Sequence, residues 1–346
     1  MRYSVFIILV IVSSQCVIFS YAGPTATKYF VISISEEIWS RDSKYIKPYI
    51  SYLDNAYEKI FSYLGFQAMT PITFQVREGG GALYYYGGGR NMISIPAECF
   101  EQGYLKSWLY AGIAHEITHA FVHVVSDYTP SWFKERFSNL VATEVVRDFG
   151  DRHLASSEDA KLKAMASYRA LRTLHRQYGW NVYQIFFRYL FQRQIDFQCS
   201  DLIRDHFIFY YLSRSAQTDL SGFFVSFGFS VDLGLWMQMG RAEQAITDAE
   251  SSIVEAKQLF WWSPVLLMAE SALDSSKTSY RRGYFTEAER DAVNAKNIAG
   301  NMLRDSVLTL VTVFLAAMVV YSGISARRRR ARKEILACTL KMHLTR

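Results

Sequence analysis

The sequence predicts an α+β domain, a small mixed sheet followed by a mainly helical lobe, and then a helical-hairpin stalk with one C-terminal transmembrane helix. Three stretches carry that expectation. Short β-type runs punctuated by glycine lie between residues 29 and 95. An apolar, small-residue helical run over residues 111–122 contains His115-Glu116-Ile117-Thr118-His119. Residues 306–326 contain no charged side chain, long enough to cross a bilayer as one helix.

From the N-terminus, Arg2 precedes an apolar run from Val5 to Val12, and Ser20-Tyr21-Ala22 offers the small residues of a cleavage site. Residues 1–22 read as a secretory signal peptide. Residues 23–233 are long enough for one sizeable core. Within them, 29–35 and 71–76 read as strands, and 45–63 as an amphipathic helix carrying Ile46, Ile50, Leu53, Tyr57 and Ile60. Glycine triplets at 79–81 and 87–89 flank short runs at 82–86 and 91–95, the pattern of hairpin turns and a sheet edge. No helix opens at those glycines, which removes the context of a nucleotide-binding loop. Residues 155–232 read as helical and strongly aromatic.

Over residues 234–305 the composition shifts. Ala242, Ala245, Ile246, Ala249, Ile253 and Ala256 form a helical stripe, Pro264 opens a second helix, and Gly283 ends it. Thr286 with Glu289 reads as the capping box of a third. This alanine-rich hairpin resembles a tetratricopeptide-type unit, about one repeat long. Its expected role is a spacer above the membrane, or a docking surface for a protein partner hinted at by Trp261 and Trp262.

The basic cluster Arg327 to Lys333 puts the tail, residues 327–346, on the cytoplasmic side, so the rest of the chain is expected outside the cytoplasm at the cell membrane. That tail holds eight Lys/Arg against one Glu, a balance of +7, while the whole chain carries +6. Residues 1–326 therefore sum to −1, and the basic character belongs to the anchor. Charge thus offers no argument for a nucleic-acid partner. Cys99 and Cys199 are the two cysteines of the exported part, and an oxidising compartment permits a disulfide between them.

The chemistry lies in the run around His115. At 3.6 residues per turn, His115 and His119 stack on one helix face, a spacing that suits two imidazole ligands of one Zn2+ ion. Glu116 is placed to accept a proton from a metal-activated water. Ile113, Ala114, Ile117, Ala120, Phe121 and Val122 make the helix apolar on most sides, so its polar residues would be buried and need partners. A third ligand is expected from the next helix, announced by Pro130 and by Phe133, Phe137, Leu140 and Val141 at helical spacing. Glu135 and Glu144 both lie on it, with Asn139 one turn beyond Glu135, where its amide could hydrogen-bond a ligand. His123 continues the spacing of His115 and His119 and reads as a hydrogen-bonded neighbour.

These residues resemble the gluzincin zinc metallopeptidases, in which a Glu on the following helix completes His-Glu-x-x-His. Glu135-x-x-x-Asn139 before an apolar helix is most similar to the enhancin-like branch, which includes mucin-degrading peptidases. The resemblance implies a zincin-like metallopeptidase fold, Glu135 as the third zinc ligand, and Glu116 as general base. It also implies a protein or glycoprotein substrate lying along an edge strand, with Tyr84, Tyr85 and Tyr86 as candidate contacts. A Tyr or His of the helical lobe, among Tyr210, Tyr211 and His206, would stabilise the oxyanion. The competing expectation is a zincin-fold binding or adhesion module without turnover, against which an intact Glu116 counts.

Overall fold

The computed structural model of the chain describes residues 26–79, 83–87, 90–100, 106–260 and 263–344. The expected signal peptide, Trp261 and Trp262, and the side chains of Tyr84, Tyr85 and Tyr86 lie outside what is described. The described chain is mostly helical, with one four-stranded sheet. It divides into two compact units, one running to Phe197 and resuming over Phe207–Ser230, the other formed by Gln198–His206 and Val231–Arg346.

In the first unit the sheet consists of β1 (Phe30–Ile34), β2 (Ile72–Arg77), β3 (Leu83–Gly87) and β4 (Arg90–Pro96), in the order β1-β2-β4-β3. The first, second and fourth strands run parallel, with Phe30 opposite Ile72 and Phe74 opposite Ile93. β3 is antiparallel to β4 and stands at the sheet's edge. The two-residue period of a strand explains what is buried: Phe30, Ile32 and Ile34, then Ile72, Phe74 and Val76, then Ile93 and Ile95. The parallel pairs need crossover connections, and α1 (Glu36–Leu64) supplies the one between β1 and β2.

α1 starts nine residues earlier than the periodicity of 45–63 predicts. Ser35 caps it, its Oγ accepting from the Ile38 amide at 3.3 Å, and Ile38 and Trp39 are buried in the added turns. Gly65 ends it in the left-handed conformation at φ 76°, its N–H donating to Phe61 O. Then come α2 (Lys106–His123) and α3 (Ser131–Asp148), packed on each other, with α2 also against β3 and β4. α4 (Arg152–Leu162), α5 (Ala166–Tyr178), α6 (Asn181–Arg193), α7 (Asp201–Ala216) and the short α8 (Ser221–Ser226) follow.

The second unit is dominated by α9 (Leu233–Phe260), α10 (Pro264–Arg281) and α11 (Phe285–Leu344). Met239, Ala242, Ile246, Ala249, Ile253 and Ala256 of α9 are buried. So are Leu266, Ala269 and Leu273 of α10 and Ala288, Ala292, Ala295 and Ala299 of α11. Alanines at that spacing bring three backbones close together, and Lys296–Asp248 at 2.8 Å and Lys277–Glu250 at 2.9 Å pair the helices outside the seam. The helix expected to follow a Thr286 cap begins two residues earlier, at Phe285, with the Ala288 amide bonded to Tyr284 O, so Thr286 lies within the first turn instead of capping it. From there α11 runs unbroken for 60 residues, and it is long and apolar enough to cross a membrane. No disulfide joins Cys99 to Cys199.

Gly283, at φ 82° between α10 and α11, has no room for a side chain, because a Cβ there would stand 2.4 Å from Ile203 Cδ1. Gly65 shares the positive φ, but its nearest neighbour would be Gln184 at 3.6 Å. Gly65→Ala should therefore cost only the backbone term, about 1 kcal/mol. Gly283→Ala adds overpacking and should cost about 3 kcal/mol. Denaturant unfolding of the detergent-solubilised chain measures both, and equal losses would mean that Ile203 yields freely.

Candidate metal centre

α2 is apolar nearly all round. Leu109, Ile113, Ala114, Ile117, Ala120, Phe121 and Val122 are each at most 2 % exposed. Even its Thr118 turns its hydroxyl inward, donating to Ala114 O at 2.8 Å. His115 and His119, one turn apart, keep 17 % and 13 % of their side chains open, and their rings meet edge to face at 4.6 Å. Glu116 is a buried carboxylate one position, about 100°, further round the helix from His115.

α3 brings the third group. Pro130 stands one residue outside the helix as its N-cap, and its carbonyl accepts from the Phe133 and Lys134 amides at 3.0 Å. Phe133 and Phe137 stack at 5.2 Å on the buried face and press against Phe186, Tyr183 and Phe187. Glu135 lies midway between them in sequence and so points to the opposite side. Its Oε2 is 3.5 Å from His115 Nε2 and its Oε1 is 3.5 Å from His119 Nε2. The two Nε2 atoms approach to 2.9 Å, a separation at which two lone pairs repel unless a proton or a cation lies between them.

His115, His119 and Glu135 thus form a group that could hold a metal ion. A tetrahedral zinc site with bonds of about 2.0–2.1 Å has ligand-to-ligand edges of about 3.3–3.4 Å; the two nitrogen-to-oxygen separations of 3.5 Å lie near that edge, and the 2.9 Å between the nitrogens is shorter than it. The protonation states suit the same role. Burial, reinforced by His115, pushes His119 down to about 3, so its ring is neutral. The hydrogen bond to His115 and the nearby His119 hold Glu135 below the ordinary carboxylate range in spite of its partial burial. A metal takes these forms, a neutral imidazole and a carboxylate.

Around this trio, Ser138 Oγ lies 3.4 Å from His119 Nδ1. That contact helps orient the ring with Nε2 facing Glu135. Sequence reasoning named Asn139 for such a role, yet only the Asn139 carbonyl is engaged, by Thr143 Oγ1. Ser138 is buried and three residues past Glu135, and helical spacing places it on the Glu135 face just as it does Asn139, without choosing between them. His123 pairs with Asp127. Glu144 is held elsewhere, by Arg147 and, at 3.1 Å, by Arg172. Both guanidiniums also pair with Asp159, whose other oxygen accepts from the Tyr168 hydroxyl at 2.6 Å.

Comparison with protein-family models, with curated proteins and with solved structures finds no match to this chain. The case for the site therefore rests on its own geometry.

The other expected residues sit as follows. Tyr210 and Tyr211 are buried on α7, Tyr211 with its ring alongside Phe207 and Tyr189. Both ring nitrogens of His206 are engaged, Nδ1 donating to Leu202 O at 2.7 Å and Nε2 accepting from the Asp232 amide at 2.8 Å. β3, which carries Tyr84, Tyr85 and Tyr86, uses its described pairing on one side only, with Tyr84 opposite Ile93 and Tyr86 opposite Asn91.

The two glutamates of α3 should behave oppositely. His119→Ala or Glu135→Ala should empty the site or weaken metal binding by about 10²-fold or more. Glu144→Gln should leave metal content unchanged and instead cost about 3 kcal/mol of stability, because Arg147 and Arg172 lose a buried charge partner. Metal analysis beside unfolding curves checks this, and loss of metal in Glu144→Gln would overturn the assignment.

Proposed function

We propose that the chain is a membrane-anchored, extracytoplasmic zinc metallopeptidase, a gluzincin hydrolysing peptide bonds of proteins or glycoproteins. The observation that carries the reading is the convergence of His115 Nε2, His119 Nε2 and the Glu135 carboxylate within reach of one ion. These three residues would hold the ion. When bound, zinc lowers the pKa of a ligand water toward ~7 and polarises a carbonyl.

The rest of the chemistry belongs to the protein's own groups. Glu116, buried beside the ligand pair, would take the proton from the attacking water and hand it to the leaving amine. Ser138 would help hold the His119 ring in the orientation that turns Nε2 toward Glu135. The edge strand β3 offers an extended substrate a row of backbone groups, on an element that packs against α2. The unbroken α11, uncharged over 306–326 and followed by six basic residues among the next seven, supports a single C-terminal anchor with its tail in the cytoplasm.

Glu116→Gln tests the chemistry. It preserves size but cannot accept the water's proton, so the variant should retain zinc and lose about 10²–10⁴-fold in turnover. A peptide and glycopeptide library, incubated with zinc-matched wild-type and variant chains, reads the difference. Equal cleavage by both would mean a different base or a contaminant, and cleavage by neither would favour a binding module.

Topology has a separate readout. With the tail inside, a membrane-impermeant thiol reagent should reach Cys338 only after permeabilisation, while protease added outside digests the ectodomain. Labelling of Cys338 on intact cells would reverse the orientation.

A further inference from the structure

Where α10 begins, it and α11 enclose a cleft of about 680 Å³, walled by Ser263, Val265 and Met268 on one side and Met302, Asp305 and Leu310 on the other. The two helices are antiparallel: Tyr280 meets Phe285, and Ser276 Oγ donates to Ala288 O at 2.6 Å. Each step toward the start of α10 is therefore a step toward the uncharged run of α11. Among the described side chains of α11, Met302 is the last buried apolar one, and from Val307 to Ile324 its large apolar side chains stand about half exposed or more. The uncharged run of 21 residues rises about 32 Å, the thickness of a bilayer's hydrocarbon layer. Its upper boundary falls at Ser306, so the cleft straddles that boundary, with Met302 and Asp305 above it and Leu310 below.

The surface beside the cleft is poorly suited to water. Val265, Leu267 and Met268 are 41 %, 66 % and 63 % exposed, and no charge occurs from Ser263 through Ala269. The first charge, Glu270, is turned to Lys257. Side chains on a helix lean toward its N-terminus, which in α10 is the end nearest the span, so these three reach toward the boundary. Such a patch costs free energy in water and gains it among acyl chains.

We propose that this cleft seats a phospholipid of the leaflet surrounding α11. An acyl chain lies along Leu310 and Met302, the glycerol and headgroup region lies beside Ser263 and Asp305, and Val265, Leu267 and Met268 rest in the membrane interface. The start of α10 is thereby a second membrane contact in addition to the anchor. The inference rests on the reading of α11 as a membrane span.

The test uses the full chain in phosphatidylcholine vesicles, with Cys16, Cys99, Cys199 and Cys338 replaced by Ser. A bimane fluorophore is attached through Met268→Cys, Thr278→Cys or Val313→Cys, and unchanged helicity is checked in each. Two quenchers are compared, a doxyl-labelled phospholipid and aqueous iodide. The label at 268 should be quenched by the doxyl lipid much as at 313, and shielded from iodide roughly threefold or more relative to 278. If 268 behaves like 278 while 313 is quenched by lipid, the cleft proposal falls and the anchor stands. If 313 is itself open to iodide, the span reading fails and the cleft falls with it.

Discussion

The candidate site depends on the sealing of α2. Seven apolar side chains of this helix are almost wholly withdrawn from solvent, so the two imidazoles can be accommodated only on the side that remains. Their spacing then makes them converge without any contribution from their mutual interaction, which is unfavourable. α3 is fixed by the same means. Its Phe133–Phe137 pair is wedged among Phe186, Tyr183 and Phe187, and that wedge sends Glu135 back toward the histidines. Apolar packing, worth several kcal/mol per aromatic ring, thus positions the polar groups. A trio held in this way is assembled before it binds anything, which removes the ordering cost from the binding step.

The same helix shows how surroundings decide what a carboxylate does. Glu135 and Glu144 are nine residues apart on α3, and both could be ligands in principle. Glu144 faces two guanidiniums shared with Asp159, a set of two positive and two negative groups whose charges balance, with Glu144, Asp159 and Arg172 buried and Arg147 half-buried. Burying such a set gains little net stability, but removing one member strands the others, so Glu144 is committed to holding α3, α4 and α5 in register. Glu135, half exposed and facing imidazoles, makes no such commitment and is the one left to bind.

The legible parts of this chain were those with a local cause. The i, i+4 pair His115 and His119 is a property of one helix, and the strand pattern at 71–76 and 91–95 is a property of alternation, so both could be read residue by residue. What decided between Glu135 and Glu144 was not local: Arg172 and Asp159 come from other helices, and nothing in the spacing of α3 announces them. The first nine residues of α1 were missed because their apolar positions, Ile38 and Trp39, are too few to make a stripe, although Ser35 was a readable cap. Ser138 was passed over for Asn139 because an amide is the more conspicuous hydrogen-bonding group, whereas which of two adjacent residues reaches a ring depends on the rotation of α3 about its axis.

Composition and backbone divide the C-terminal third differently. Composition changes at 305, where an uncharged apolar run begins, and again at 326, where a basic stretch begins, yet the backbone of α11 has no joint at either place, and Gly300 and Gly323 lie within helix. The boundary shows only in side-chain exposure, since the buried alanines that face α9 and α10 give way after Met302 to large apolar side chains that stand about half exposed or more through Ile324. A helix carries rotation and tilt along its length far better than a loop does, because every turn is tied by hydrogen bonds to the next. The orientation of residues 306–326 therefore also sets that of the alanine face of α11, and with it the seam that α9 and α10 share. A flexible tether would have separated the two. The unbroken helix makes the uncharged run of 306–326 continuous with the bundle's own packing.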